Sequence, residues 1–370
     1  MIKNVHGGDI YSREISLDFS ANINPLGTPE SIVKAASESL ADIKNYPDPN
    51  CTLLRNALSE YEKIGAENIV CGNGAADLIY RIVLAVRPKK ALITAPTFSE
   101  YEKALLTVGC DVGHFMLRES SNFRLDENIL GEISGNDMVF ICNPNNPVGN
   151  AAESGLISEM ISECGKCGCI AVIDECFMDF VSGNEKYRTI PKHKNAVILK
   201  AFTKMYAMAG LRLGYMLCAD EKLCNAVSEC GQSWSVSIPA QAAGIAALGE
   251  HDIAEETRCL IDAERKYLMD KLSGFGFKVY PSQANFILFR CCLPLDEMLI
   301  KEKIAIRNCG GYIGLSEGYF RIAVRTHAEN EMLVKAVEKE PSLRFRVNLD
   351  PEMSVLASKY NLLKDDEEPG

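Results

Sequence analysis

The 370-residue chain has few basic residues relative to acidic ones, and this balance limits its partners. It contains 39 Lys and Arg against 50 Asp and Glu, which gives a formal net charge of -11 at pH 7. Nucleic acids and anionic membrane surfaces attract basic proteins, so we expect neither as a general partner. A small anionic substrate is compatible with this composition, but the positive charge that binds it must be local.

Long apolar segments are also missing. The first sixteen residues contain no apolar core of the kind found in a signal peptide, and no run approaches membrane-spanning length. We therefore expect a cytoplasmic protein. No internal repeat or low-complexity segment is present, and a hydrophobic content of 47% is ordinary for a globular chain.

Cysteine is abundant, yet the sequence lacks the spacing of a metal site. Fifteen cysteines include the cluster Cys164, Cys167 and Cys169 and the adjacent pair Cys291 and Cys292. A structural zinc site needs a fourth ligand and normally shows a second paired motif, which we do not find. We expect reduced cysteines that serve as small hydrophobic residues, and no bound metal.

Between residues 69 and 220, short apolar runs alternate with helical segments. This alternation predicts an α/β fold with a mainly parallel central sheet and helices on both faces. Further on, a long helical stretch is predicted from about Ala240 to Leu272. The apolar runs are Ile69–Cys71, Ala91–Ile93, Met138–Ile141, Ile170–Ile173, Ala196–Leu199 and Tyr215–Leu217.

The order of these segments predicts two domains and an extension. Residues 41–265 would form the large domain, and residues 1–40 with 266–340 would form a smaller α+β domain that closes on the substrate. Strands at Ala284–Phe289 and Phe320–Val324 and a helix at Asn330–Glu338 are predicted in the smaller domain. Residues 341–370 would be a C-terminal extension whose acidic end is solvated and disordered.

Polar or conformationally special residues follow most of the apolar runs directly. In parallel sheets, ligands bind beyond the carboxyl ends of the strands. We therefore expect five segments to converge on one site: Gly72–Gly74, Pro96–Phe98, Asn143–Pro147, Asp174–Glu175 and Thr203–Lys204.

Three of these segments have a chemical interpretation of their own. The small residues at Gly72–Ala76 would leave backbone N–H groups free to approach a phosphate, although a plain strand-to-helix turn is the alternative. Asp174 ends an apolar strand, where it could hold a pyridinium nitrogen protonated or cap a helix. Lys204 follows a buried strand, where desolvation and the neighbouring cation Arg212 would lower its pKa; a lone loop lysine is otherwise solvated surface.

The order of the glycine turn, Phe98, Asn146–Gly149, Asp174, Thr203–Lys204 and Arg212 resembles the fold-type-I pyridoxal-phosphate enzymes, the aminotransferase class I/II family. The resemblance covers residues 5 to 340 approximately, and it implies pyridoxal 5'-phosphate as the cofactor. By resemblance, Lys204 would attach the cofactor through a Schiff base and shuttle the proton, and Asp174 would pair with the pyridine nitrogen. The other implied cofactor residues are Gly74, Ala75, Ala76 and Arg212 around the phosphate, Asn146 at the ring hydroxyl, Phe98 stacked on the ring, and Phe177 and Thr203 beside them.

The resemblance also implies a homodimer with shared active sites, since Tyr46 would reach the phosphate of the neighbouring subunit's cofactor. Two positions depart from the family pattern. Phe177 stands where a tyrosine is common, and Ala201 stands where Ser or Thr usually contacts the phosphate. The second departure removes one ordinary hydrogen bond, a net loss of about 1 kcal/mol that Thr203 or water would offset.

Within this family, the sequence is similar to two branches that act on phosphorylated substrates, the histidinol-phosphate aminotransferases and the threonine-phosphate decarboxylases. Five segments resemble the decarboxylases: His6–Ile10, Leu17–Gly27, Asp174–Phe180, Trp234–Val236 and Ile306–Cys309. The expected activity is therefore decarboxylation of L-threonine O-3-phosphate for cobalamin synthesis. Histidinol-phosphate transamination, decarboxylation of serine phosphate and a non-catalytic binding role are the alternatives.

The two branches would differ in the residues that orient the substrate, because both need the same lysine and aspartate. The bond that breaks is the one perpendicular to the cofactor ring, so rotation of the substrate about Cα decides the reaction. By binding a phosphate at the far end of the substrate, the protein can fix that rotation. The division of phosphate and carboxylate between Arg307 and Arg321 stays open. By resemblance, the substrate residues are His6, the Gly7 backbone, Asn22, Arg307 and Arg321, with Asn146 near the carboxylate.

Overall fold

The computed structural model of the protein describes residues 7–339. His6, which we expect in the substrate site, and the predicted extension at 341–370 lie outside the described residues.

Thirteen strands and eleven helices, besides short 3-10 turns, make up the described chain. The strands are β1 Leu17–Asp18, β2 Ile69–Gly72, β3 Lys90–Ala95, β4 Asp111–Met116, β5 Met138–Cys142, β6 Ile170–Asp174, β7 Ala196–Ala201, β8 Gly214–Cys218, β9 Lys278–Val279, β10 Phe286–Arg290, β11 Ile304–Ala305, β12 Arg307–Asn308 and β13 Tyr319–Ala323. The helices are α1 Glu30–Glu38, α2 Thr52–Glu62, α3 Ala75–Val86, α4 Glu100–Thr107, α5 Ser154–Cys167, α6 Phe202–Met205, α7 Glu221–Glu229, α8 Ile238–Leu248, α9 Ile253–Gly274, α10 Leu295–Lys301 and α11 His327–Glu338.

The central sheet has seven strands in the order β2-β8-β7-β6-β5-β3-β4. All neighbouring pairs from β4 to β7 are parallel, and β8 runs antiparallel to both β7 and β2. The predicted α/β fold with a mainly parallel sheet is therefore confirmed. Strand β4 was not predicted, because at the sheet edge its side chains are mostly half-buried and form no continuous apolar run.

Both faces of this sheet are covered, and alternate residues of one strand show it. In β5, Met138 and Phe140 pack with the helices α3, α4 and α7, whereas Val139 and Ile141 pack against α5. Cys164 of α5 is fully buried in the second cluster, so it serves there as a small hydrophobic residue. Each such buried aliphatic or aromatic side chain contributes about 1.5–3 kcal/mol relative to an exposed one.

The N- and C-terminal segments meet in a smaller α+β unit. Strands β12-β13-β10-β9 form an antiparallel sheet, and β1 pairs in parallel with β11. The predicted strands near 284–289 and 320–324 and the predicted helix near 330–338 are all present. The exact division at residues 40 and 265 stays a prediction.

The predicted helical stretch from Ala240 to Leu272 is divided, since two helices occupy it. Helix α8 ends at Leu248 and α9 begins at Ile253. The amide of Gly249 donates to the carbonyl of Ala246 at 3.0 Å, which closes the last turn of α8, and Asp252 precedes the next helix. Helical periodicity continues across such a short break, so the pattern alone did not reveal it.

Among residues 7–339, no helix is both long and apolar enough to cross a membrane. Within the same range, no group of His, Cys, Asp and Glu side chains is arranged to hold a metal ion.

Candidate active site

A cavity of about 480 Å³ lies beyond the carboxyl ends of the central strands, where they meet the smaller sheet. It collects side chains from segments far apart in sequence, as the alternation of strands and polar residues predicted. The predicted residues that line it are Gly7, Asn22, Ala75, Ala76, Phe98, Asn146, Asp174, Phe177, Thr203, Lys204, Arg212, Arg307 and Arg321.

Lys204 is presented to this cavity by the end of a buried strand. Strand β7 stops at Ala201, and the short helix α6 turns Lys204 into the cavity wall. The pKa of Lys204 is lowered to about 8, first by burial and then by the nearby cations Arg321 and Arg212. Cys176 and Asp174 act in the opposite direction without cancelling this effect. A useful fraction of the amine is thus neutral, and therefore nucleophilic, near neutral pH.

Asp174 is held in one orientation at the end of β6. It is 5% exposed, accepts a hydrogen bond from the hydroxyl of Tyr101 at 2.7 Å, and accepts another from the backbone N–H of Cys176 at 3.0 Å. Tyr101 is fully buried and stacks on Phe140 with ring centroids 5.0 Å apart. These contacts leave a fixed carboxylate that faces the cavity. It can accept a hydrogen bond from a protonated ring nitrogen.

Tyr101 supports the site through its contact with Asp174, and the sequence reasoning missed it. It lies in the first turn of α4, three residues after Phe98, so the two side chains point to the same side of the helix. Their rings contact each other edge to face with centroids 5.6 Å apart. That spacing was the available signal, since a residue three positions after the ring-stacking aromatic points in a similar direction.

An anion cradle lies at the N-terminus of the twelve-residue helix α3. Gly74 has φ +81°, and a Cβ there would lie 2.6 Å from Nη2 of Arg212. A Cβ on Gly214 would lie 2.6 Å from the amide nitrogen of Ala75. No side chain caps this helix start, so its first N–H groups and the Arg212 guanidinium are available to a dianionic phosphate.

Arg307 and Arg321 form a cationic pair on the opposite wall. They are cross-strand partners on β12 and β13, which places both side chains on one face of the sheet. Arg321 is 6% exposed and donates to the side-chain oxygen of Asn146 and to the carbonyl of Ser20, the latter at 2.7 Å. Within residues 7–339, neither arginine forms an ion pair with a carboxylate.

Two buried polar atoms lie on this wall without a partner. Oδ1 of Asn22, a residue that is 2% exposed, and Nε of Arg321 have no hydrogen-bond partner among the described residues. Buried polar groups are almost always satisfied, so these atoms fit a bound polar molecule. Gly7 packs closely against the backbone of Ser20. A Cβ at Gly7 would fall 2.2 Å from the Ser20 carbonyl oxygen, so the position has no room for a side chain.

The two departures from the family pattern also lie at this site. Phe177 is buried in an edge-to-face contact with Phe286, with centroids 5.0 Å apart, and its ring centroid is 5.9 Å from Nζ of Lys204. Ala201 and Thr203 both line the cavity, and the replacement of the lost hydroxyl by Thr203 or water stays a prediction.

Tyr46 does not line the cavity of its own chain. It is 78% exposed and stacks on Trp234 with centroids 4.6 Å apart. Its contact with a neighbouring subunit stays a prediction, and so do the roles of the other site residues.

The residues present fit pyridoxal 5'-phosphate. An amine with a lowered pKa, a fixed carboxylate and an anion cradle lie around one cavity, with the aromatic side chain of Phe98 in its wall. These are the features that bind the aldehyde, the ring nitrogen, the phosphate and the ring face of that cofactor.

Known proteins match this chain over most of its length. The family model described as aminotransferase class I and II matches residues 14–337. A threonine-phosphate decarboxylase of Salmonella typhimurium is 33% identical over 91% of this chain and 96% of its own. A histidinol-phosphate aminotransferase of Desulfitobacterium hafniense (strain DCB-2) is 36% identical over 86% of this chain and 89% of its own.

A solved structure confirms the fold-level match. The histidinol-phosphate aminotransferase of Clostridium acetobutylicum superposes with a TM-score of 0.81 at 30% identity, covering 87% of this chain and 98% of that one. The cofactor of this protein is accordingly pyridoxal 5'-phosphate, and the chain belongs to the aminotransferase class I and II family with the fold-type-I architecture.

Proposed function

We propose that this protein decarboxylates L-threonine O-3-phosphate to (R)-1-amino-2-propanol phosphate and carbon dioxide, for the nucleotide loop of cobalamin, as a homodimer with shared active sites. The observation that carries the proposal is the pair Arg307 and Arg321, in register, facing the same cavity as Lys204 and without a carboxylate partner among the described residues. The similarity to the Salmonella decarboxylase over 91% of the chain supports it.

The cofactor, when bound, withdraws electrons from the bond that breaks at the substrate Cα. Asp174 would hold the proton on the ring nitrogen. Tyr101 keeps that carboxylate in place, because its hydroxyl donates to Asp174 from a fully buried position. The N-terminus of α3 and Arg212 would hold the cofactor phosphate.

The arginine pair would select which bond breaks. A substrate with a phosphate at one end and a carboxylate at the other offers two anions, and Arg307 and Arg321 offer two guanidinium groups that bind such anions bidentately. Held at the phosphate, with Asn22 as a further contact, the substrate cannot rotate freely about Cα. The grip would thereby fix which of the bonds at Cα is presented for cleavage. His6 and the Gly7 backbone would complete this grip.

Lys204 would return a proton to the substrate Cα after carbon dioxide leaves. A pKa of about 8 suits this task, since an amine that titrates near the working pH both holds and releases a proton readily. Delivery to Cα, and not to the cofactor carbon, ends the reaction as a decarboxylation.

A second candidate is transamination of histidinol phosphate. The Desulfitobacterium relative, a histidinol-phosphate aminotransferase, is 36% identical to this chain. This degree of sequence identity favours the aminotransferase function. Such an enzyme would use the same lysine and aspartate. Serine phosphate is a variant substrate for the decarboxylase, and intact Lys204 and Asp174 oppose a non-catalytic role.

One assay separates these functions. The purified holoenzyme is incubated with L-threonine O-3-phosphate, and carbon dioxide and the amine phosphate are quantified with and without 2-oxoglutarate as an amino-group acceptor. We expect equal amounts of both products, independent of the acceptor, and less turnover of serine phosphate. A keto acid that forms only when the acceptor is present would refute the decarboxylase. Lys204→Ala serves as the inactive control and should lose the visible absorbance of the bound cofactor.

A further inference from the structure

We propose that Tyr312 sets the size of the substrate by closing the active-site cavity off from a second cavity beside it. This second cavity, called the annex here, measures about 410 Å³. Phe98, Arg307 and Tyr312 line both cavities, so these three side chains form the wall between them. The inference rests on the proposed function, because it concerns the substrate end of that same site.

The loop that carries Tyr312 is held in place at several points. It joins β12 to β13, and its backbone turns are closed by hydrogen bonds from Tyr312 N–H to the Cys309 carbonyl at 3.1 Å and from Leu315 N–H to the Tyr312 carbonyl at 3.0 Å. Gly314 has φ +86°, and a Cβ there would meet the Met116 methyl carbon at 3.0 Å. The loop therefore lies against the edge of the central sheet, and the position of the tyrosine is defined.

Tyr312 presents an uncharged wall beside the anion site. Its ring is half-buried, with the guanidinium carbon of Arg307 5.7 Å from the ring centroid, a cation–π distance. Burial raises the pKa of the Tyr312 hydroxyl in spite of the nearby arginines, so the side chain stays neutral at physiological pH. The ring can thus limit space next to Arg307 without adding a negative charge beside the anion.

Space is scarce on the active-site side of this wall. A pocket for one drug-sized ligand measures about 300–1,000 Å³, and here about 480 Å³ must hold cofactor and substrate together. That volume suits a substrate whose arms at Cα are short, such as a carboxylate and a phosphorylated hydroxyethyl group. A ring-bearing arm, such as the imidazole of histidinol phosphate, needs additional room.

The annex would provide that room if the wall were opened. Its volume would nearly double the available space. Among the described residues that line it, Arg307 is the only arginine or lysine, so it offers no second phosphate site. Its polar lining suits a neutral, hydrogen-bonding ring and consists of Thr94, Thr97, Ser99, Glu102 and His114, besides Asn308.

The test compares two probes on the holoenzyme, L-threonine O-3-phosphate and L-histidinol phosphate. Dissociation constants are obtained by rapid mixing from the change in cofactor absorbance on binding. In Tyr312→Ala, we expect the preference for the threonine compound to fall about tenfold or more, the scale at which a pocket wall discriminates by size. Tyr312→Phe keeps the ring and should keep the preference. Ser316→Ala, an exposed change on the same loop that lines neither cavity, is the matched control.

An unchanged preference in Tyr312→Ala, with cofactor absorbance intact, would overturn the inference. If that variant loses its cofactor, Tyr312→Leu preserves more packing and must show the same direction of change, or the inference fails. The binding preference is measured whichever reaction the enzyme catalyses. Failure to release carbon dioxide would therefore refute the proposed function alone.

Discussion

The lowered pKa of Lys204 predicts how the apoenzyme reacts with its cofactor as the pH changes. Only the neutral amine attacks the aldehyde, and the neutral fraction rises with pH through the pKa. With a pKa of about 8 in place of 10.5, about 9% of Lys204 is neutral at pH 7, against about 0.03% for an ordinary lysine. The rate of attachment should therefore rise about fiftyfold from pH 6 to pH 8, and less than twofold from pH 8 to pH 10.

Stopped-flow absorbance of apoenzyme mixed with pyridoxal phosphate measures this rate. A simple amine in the same buffers corrects for the titration of the aldehyde itself, and Lys204→Ala gives the background. A rate that keeps climbing steeply between pH 8 and pH 10 would refute the reasoning, since an unperturbed lysine gives about a seventyfold rise there. After burial, Arg321 is the largest cause of the lowered pKa, so Arg321→Met should move the inflection to higher pH. Arg290→Met, on the same small sheet, should not.

Three further predictions concern packing around the site. Tyr101→Phe removes the 2.7 Å hydrogen bond to the buried aspartate, and urea unfolding should show a loss of about 1.5–3 kcal/mol; unchanged stability would contradict the contact. Gly74→Ala forces a Cβ against a guanidinium at φ +81°, so cofactor affinity measured by fluorescence titration should fall about tenfold; Gly131→Ala, which meets no atom within 4 Å, should leave it unchanged. Lys200→Met leaves Glu62 buried without its cation, and thermal and urea unfolding should show a loss of about 3–5 kcal/mol. Adding Glu62→Gln should restore part of that loss, and no recovery would mean that the ion pair is not the cause.

The parts of the site that follow strands could be predicted from the sequence. Asp174 and Lys204 come directly after buried apolar runs, and parallel strands bring their carboxyl ends to one edge, so the convergence follows from the pattern. For the turn at Gly74 the pattern left a plain strand-to-helix turn open, and only the family resemblance implied a phosphate site there. For Asp174 and Lys204 the local sequence decides both the element and the position of the side chain.

Contacts between distant segments could not be predicted in this way. Tyr101 reaches Asp174 across 73 residues, and a helix periodicity shows which face is buried but not which atom it meets. Tyr312 sits on a glycine-containing loop whose position depends on the edge strand β4, itself unrecognised because it carries no apolar run. The break between α8 and α9 was missed because a four-residue interruption hardly disturbs helical spacing.

The pairing of β1 with β11 has a consequence for the order in which the protein can mature. Arg321 contacts the Ser20 carbonyl across 301 residues of sequence, whereas the residues assigned to the cofactor, Lys204 and Asp174 among them, all lie before β9. During synthesis from the N-terminus, the cofactor half of the site can assemble while the arginine wall is not yet made. The chain would thus acquire the ability to hold its cofactor before it acquires the arginine pair that would orient the substrate. Closing a loop of that length also costs more conformational entropy than pairing strands that are neighbours in sequence.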